Sequence, residues 1–178
     1  GIVEAIGEGV TALSVGDRVA TFGPMLGAYA TLRILPATGL FRLPDGVSDQ
    51  QAAAVLLKGC TTEFLVERCA KVQAGWTVLV HAAAGGVGLL IVQWLKHVGA
   101  IVLGTVSSEA KASQARAAGA DHIILYTQED CAARVRELTG GKGVRVTFDG
   151  IGMDTWESSL DATGRRGLIV SYGNASAQ

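Results

Sequence analysis

The sequence has three cysteines, Cys60, Cys69 and Cys131, and none of them sits in a C-x-x-C pair. That excludes a disulfide framework and a cysteine-rich zinc lobe. The three read as small buried hydrophobes in a reducing compartment, which places the chain in the cytoplasm. There is no excess of either charge: 15 Lys and Arg stand against 16 Asp and Glu, a net charge of −1. With no basic field and no basic, aromatic patch, nucleic acid and anionic lipid are disfavoured as partners. No signal peptide is visible. No Ser-His-Asp elbow is present. His81, His97 and His122 are scattered along the chain and read as structural rather than metal-ligating. No metal site is predicted, and no residue receives a catalytic role. An initiating Met is absent too. The chain starts inside an apolar pattern at Gly1-Ile2-Val3 and stops at Asn174-Ala175-Ser176-Ala177-Gln178, so the sequence is expected to be a fragment.

Hydrophobic residues and glycine are plentiful, at 49% of the chain and 24 residues respectively. The most informative stretch is Val78-Leu79-Val80-His81-Ala82-Ala83-Ala84-Gly85-Gly86-Val87-Gly88. An apolar, β-branched run enters a turn of small residues, and the turn opens a long helical pattern. Ala83-x-Gly85-x-x-Gly88 matches the dinucleotide fingerprint with Ala in its first slot. Small residues let the backbone approach a pyrophosphate, and the helix start offers its free N–H groups to the negative charge. Thr77 to Leu95 is almost uncharged and near bilayer length. The glycines that break it, together with His81 and Gln93 inside it, argue against a membrane span.

Two zones follow from the pattern. In the first, Ile2–Ile6, Arg18–Thr21 and Ala28–Ile34 read as short strands, separated by Gly7-Glu8-Gly9, Ser14-Val15-Gly16-Asp17 and Gly23-Pro24. Leu43-Pro44-Asp45-Gly46 closes this zone. Ser48-Asp49-Gln50-Gln51 is a capping box that opens a helix to about Leu57, and a second helix runs from about Thr61 to Ala70. The other zone alternates. Strands are predicted at Thr77–His81, Ile101–Val106, His122–Leu125, Val144–Phe148 and Leu168–Ser171. Helices are predicted at Gly86–Val98, Ser108–Ala118, Glu129–Thr139 and about Met153–Leu160, with Gly99, Gly119 and Gly140 as left-handed caps. This is an α/β fold, a doubly wound parallel sheet covered on both faces. The domain boundary is placed between residues 47 and 48.

In such a sheet a ligand lies across the carboxyl ends of the strands where strand order reverses. Four strand ends are therefore of interest: the turn after His81, the residues after Val106, Asp149-Gly150-Ile151-Gly152, and Ser171-Tyr172-Gly173-Asn174. A site for NAD places an acid roughly 20 residues beyond the glycines to bind the ribose 2′-OH. That slot holds Val106 here, followed by Ser107 and Ser108, with Lys111 one helical turn on. Hydroxyls and a lysine suit a 2′-phosphate, although Lys111 also reads as a plain surface lysine.

These residues resemble the zinc-independent quinone oxidoreductases, the zeta-crystallin type, within the medium-chain dehydrogenase/reductase superfamily. The resemblance runs end to end. It rests on Val3 to Val10, Val15-Gly16-Asp17-Arg18-Val19, Leu57-Lys58-Gly59-Cys60-Thr61-Thr62, His81 to Gly88, Gly104 to Ser108, Ala118 to His122 and Ser171 to Asn174. It implies a Rossmann-type domain over residues 48–178, incomplete at its end, and a partial GroES-like β-lobe over residues 1–47. It implies NADPH as cofactor, with Ala84, Gly85, Gly86, Val87 and Gly88 at the pyrophosphate. Ser107, Lys111 and Tyr126 are placed at the 2′-phosphate, Gly150 beside the adenosine or ribose, Thr61 toward the nicotinamide half, and Ser171, Tyr172, Gly173 and Asn174 along the nicotinamide side. The implied activity is reduction of a quinone by NADPH without zinc, in a full-length homodimer paired through sheet edges. Reduction of enones or enoyl thioesters, and a non-catalytic NADPH-binding structural or RNA-binding role, remain as alternatives.

Overall fold

The computed structural model describes residues 1–23 and 26–176. The Gly23-Pro24 turn lies partly outside them, as does the final Ala177-Gln178. The chain forms two compact units, divided inside a helix at Cys60/Thr61. That division falls later than the boundary expected from the sequence.

The first unit is sparse in regular structure. Strand β1 (Val19–Ala20) pairs antiparallel with β2 (Phe41–Arg42), and Ile2 makes an isolated bridge to Arg18. Val3, Leu13 and Val19 form a small core with Val10, Ala37 and Leu40 packed against it. The strand expected at Ile2–Ile6 is thus reduced to one bridge, and Ala28–Ile34 is not a strand. Tyr29 and Ile34 are fully exposed. A period-2 pattern becomes a strand only when a neighbour completes its hydrogen-bond ladder, and β1 takes β2 as its partner instead.

The capping box forms as predicted: the Ser48 N–H donates to Gln51 Oε1 at 2.9 Å and the Gln51 N–H to Ser48 Oγ at 3.2 Å. The helix it opens, α1 (Asp49–Glu63), runs straight through Gly59. It continues as a π-helical segment, Phe64–Ala70, that ends at Lys71 in the left-handed region. The expected pair of helices is therefore one. An isolated glycine costs only about 1 kcal/mol in a helix, too little to break a well-capped one.

The second unit carries a five-stranded sheet in the order β5-β4-β3-β6-β7. Its strands are β3 (Thr77–Val80), β4 (Ile101–Val106), β5 (His122–Leu125), β6 (Val144–Asp149) and β7 (Thr163–Ser171). All neighbours run parallel. The helices between them are α2 (Gly86–Val98), α3 (Glu109–Ala118), α4 (Cys131–Leu138) and α5 (Met153–Ala162). Gly99 and Gly119 end α2 and α3 in the left-handed region, at φ 88° and 112°. β7 begins earlier than predicted, because Thr163 pairs with Val144 ahead of an irregularity after which Leu168 pairs with Val146. The near-uncharged stretch from Thr77 is a strand, a turn and a helix. Among the described residues no helix is long and apolar enough to cross a membrane.

Both faces of this sheet are buried, which explains strands that read as continuous Val, Ile and Leu. On one face Val78, Val80, Val102, Val146 and Phe148 pack against Ile91, Val92 and Leu95 of α2 and Ala112 and Ala115 of α3. On the other, Leu79, Leu103 and Ile124 meet Cys131 and Val135 of α4 and Ala162 of α5. Each fully buried Val, Leu or Ile contributes about 1.5–3 kcal/mol. Strand order reverses between β3 and β6, so the crevice at their carboxyl ends is the place for a ligand.

Candidate functional site

His81 follows β3, and the chain then turns through Ala82–Gly85 into α2. Ala82 adopts a left-handed backbone, φ 50°. Its carbonyl accepts the Gly85 N–H at 2.8 Å, and the Ala83 N–H donates to the Thr105 carbonyl at 3.0 Å. The turn therefore folds tightly onto the start of the helix. A Cβ on Gly85 would lie 3.0 Å from the Ala82 carbonyl oxygen, and one on Gly88 would collide with it. Helix α2 starts without a side-chain cap. By contrast, Ser108 caps α3 and Asp130 caps α4. The first-turn N–H groups of α2 are left for an anionic ligand, with the positive end of the helix dipole behind them.

At the end of β4, Val106 gives way to Ser107, and Lys111 Nζ donates to Ser107 Oγ at 3.1 Å. The nearby Glu109 is paired with Arg116 at 3.4 Å. Tyr126 leaves β5 beside this point, its N–H on the Val106 carbonyl at 3.3 Å and its ring exposed. These groups and the fingerprint turn line one cleft of about 420 Å³. Its lining includes Ala84, Gly85, Ser107, Lys111 and Tyr126, with His81, Thr105, Ile151 and Thr155 among the other residues that line it. Glu129, Asp130 and Asp154 add an acidic side.

Beneath the cleft, Asp149 ends β6 fully buried. Burial pushes its carboxyl up. The N–H groups of Gly152 and Ile151 and the hydroxyls of Ser159 and Thr155 outweigh that and hold it below the usual carboxylate range. Burial pushes His81 below the ordinary imidazole value, and the Asp149 charge opposes the shift only in part. Burial, then the charges of Asp130 and Glu129, raise the Cys131 thiol to about 12. Cys131 is neutral and no nucleophile.

Of the residues expected from the sequence, Ala84, Gly85, Ser107, Lys111 and Tyr126 come together in the cleft. Gly86, Val87 and Gly88 form the first turn of α2 and do not line it. Gly150 has a packing role: a Cβ there would lie 2.8 Å from the Tyr172 ring. The Tyr172 N–H bonds the Asp149 carbonyl at 2.9 Å. Gly173 and Asn174 pack on the same turn, against Gly150 and Gly152, while Ser171 ends β7. Burial and the Asp149 charge raise the Tyr172 hydroxyl to about 12. Thr61 lies in the last turns of α1, half-buried and outside the cleft. Sequence reasoning missed Thr105, Thr155 and Ser159, and it named Asp149 only as the start of a strand-end turn, without a role for its carboxylate. The available signal was Asp149 ahead of Gly-x-Gly, and Thr155 and Ser159 four apart on one helix face.

Residues 86–178 match the family model described as zinc-binding dehydrogenase. The quinone oxidoreductase of Pseudomonas aeruginosa is 52% identical over 99% of this chain and 54% of its own length. The 2-haloacrylate reductase of a Burkholderia species is 48% identical over 98% of this chain and 53% of its own. The crystal structure of Escherichia coli quinone oxidoreductase complexed with NADPH superposes with a TM-score of 0.96 at 46% identity, covering 99% of this chain and 54% of that one. The chain thus spans about half the length of the curated relatives it matches. Matched along its whole length to such relatives, and over more than half of it to the family model, the chain belongs to the zinc-binding dehydrogenase family of the medium-chain dehydrogenase/reductase superfamily.

Proposed function

We propose that the intact protein is an NADPH-dependent quinone oxidoreductase. The observation that carries the cofactor choice is the end of β4, where Lys111 Nζ rests on Ser107 Oγ and no acid occupies the ribose position. A phosphate there is met by a cation and a hydroxyl, whereas a carboxylate would repel it. The tight Ala82–Gly88 turn fits a pyrophosphate, since α2 starts without a side-chain cap and its first-turn N–H groups can donate to an anion. When bound, NADPH supplies a hydride. This chain's part is to bind and orient: α2 offers its N–H groups to the pyrophosphate, Ser107, Lys111 and Tyr126 hold the adenosine phosphate, and the Gly150 and Ser171–Asn174 segments flank the crevice. Thr61 is assigned to the nicotinamide half. None of these groups is assigned proton transfer.

The quinone assignment rests on the quinone oxidoreductase relatives. The 48% identity to a 2-haloacrylate reductase favours a second reading, reduction of an electron-poor carbon–carbon double bond. NADPH oxidation by the full-length protein with quinones, enones, haloacrylates and enoyl thioesters separates the two. Turnover of quinones alone supports the first reading. Turnover of alkenes alone supports the second. Nucleotide binding without any turnover leaves only a binding protein. Residues 1–47 are read as part of a GroES-like lobe and residues 48–178 as the nucleotide domain. A cytoplasmic homodimer completes the proposal, and light scattering of the full-length protein tests the dimer.

A further inference from the structure

A hydrogen-bonded chain under the cleft links its two turns. His81 is 2% exposed. Its Nδ1 lies 3.1 Å from Thr105 Oγ1 on β4, and its Nε2 lies 3.0 Å from Ser159 Oγ on α5. Ser159 Oγ donates to Asp149 Oδ2 at 2.8 Å, and the Ala82 N–H donates to Thr105 Oγ1 at 3.3 Å.

Counting protons gives this chain a direction. Asp149 also accepts from the N–H groups of Ile151 and Gly152 and from the Thr155 hydroxyl. Acceptor on every side, it behaves as an ionised carboxylate. Ser159 spends its only hydroxyl proton on Asp149. His81 Nε2 must then carry a hydrogen and donate it to Ser159. Nδ1 is left bare and accepts from Thr105. Thr105 Oγ1 keeps a lone pair for the Ala82 N–H. This tautomer satisfies every group at once.

We propose that His81 is a positioning residue for the nucleotide, its Nε2–H tautomer joining the Ala82–Gly85 turn to the Gly150–Gly152 turn in one directed relay across the switch point of the sheet. The role rests on the NADPH reading above. Ala82 is a non-glycine residue in the left-handed region, which must be held by its surroundings. The relay holds its N–H, and Gly85 holds its carbonyl. A shift at either point tilts the entry to α2, where the pyrophosphate sits. The relay therefore acts on the part common to NADPH and NADH, not on the phosphate that separates them.

The test uses the full-length protein. The ring nitrogen-15 shifts of His81 at neutral pH are expected to report Nε2 protonated and Nδ1 bare. Ser159→Ala is expected to speed hydrogen exchange at the Ala82 amide, although it touches only the far end of the relay. The same variant is expected to weaken NADPH and NADH together by roughly three- to tenfold, the range for losing one net hydrogen bond. His81→Asn keeps an acceptor toward Thr105 and loses the link to Ser159, so it should match Ser159→Ala. Should His81→Asn fold poorly, Thr105→Val, a near-isosteric change, breaks the relay at its other end. An Nδ1-protonated ring, or Ser159→Ala with wild-type Ala82 exchange and wild-type affinities, overturns the proposal. Wild-type protein that binds neither nucleotide overturns the NADPH reading and this role with it. In that case the ring shifts and Ala82 exchange still distinguish an intact relay from a broken one.

Discussion

The carbonyl oxygen of Ala82 fills the space that a Cβ on Gly88 would need. Gly88 lies inside α2, so this demand is steric and unrelated to backbone freedom. Gly88→Ala must push the Ala82 turn away from the helix. The expected cost is about 1–3 kcal/mol, the usual range for overpacking a tight contact, with loss of NADPH binding. Gly85→Ala meets the same oxygen at 3.0 Å and should cost less on both counts. Thermal unfolding and nucleotide titration of the two variants give the comparison. Equal, wild-type behaviour would refute the packing argument.

Lys111 and Ser107 set the second expectation. Lys111→Ala removes the cation beside Ser107 and should weaken NADPH by about 1–2 kcal/mol, in the range of a charge-assisted hydrogen bond. NADH affinity should hardly change. This variant alters the ratio of the two affinities, which Ser159→Ala leaves alone. Titrations at one fixed salt concentration read both.

Acid should destabilise the fold in two stages. His81 is held below its ordinary value of 6.5 by burial, so the unfolded chain takes up the proton first. Its contribution is intact above about pH 6.5 and declines as pH falls below that, until the buried ring itself titrates. Asp149 lies below its ordinary 3.8 because its hydrogen bonds outweigh burial. Its contribution is full above that value and is lost as pH falls through the lower folded value. Urea unfolding at stepped pH should show the upper stage, and His81→Asn should remove its share of the slope. A His81→Asn profile parallel to wild type below about pH 6.5 would count against the assignment.

The family description names zinc, yet among the described residues no three His, Cys, Asp or Glu side chains come close enough to hold a metal ion. Cys131 is buried, with Glu129 and Asp130 beside it in the sequence. Elemental analysis of purified protein should find zinc well below one per chain. Cys131→Ser should leave the metal content unchanged. Stoichiometric zinc that falls on this substitution would overturn the expectation.

The parallel sheet was legible because its signals are local. Ile101–Val106, His122–Leu125 and Gly86–Val98 begin and end where the apolar runs and glycine caps say they should. The first unit was not, because a two-residue strand such as β2 depends on a partner that sequence does not name. In the cleft, Ser107 and Lys111 could be read from the missing acid, while Tyr126 came from family resemblance alone. The buried relay was invisible for a physical reason: its members lie just after β3, on β4, at the end of β6 and on α5, and only folding brings them together.

That spacing also bears on how the molecule assembles. From His81, the contact to Thr105 spans 24 residues and the contact to Ser159 spans 78. Closing the longer loop first costs about 1 kcal/mol more in chain entropy. The half of the sheet built from β3, β4 and β5 can therefore condense before β6 and α5 arrive. The crevice needs both halves, because its lining comes from the turns after β3, β4 and β5 and from Ile151, Asp154, Thr155 and Ser158 beyond β6.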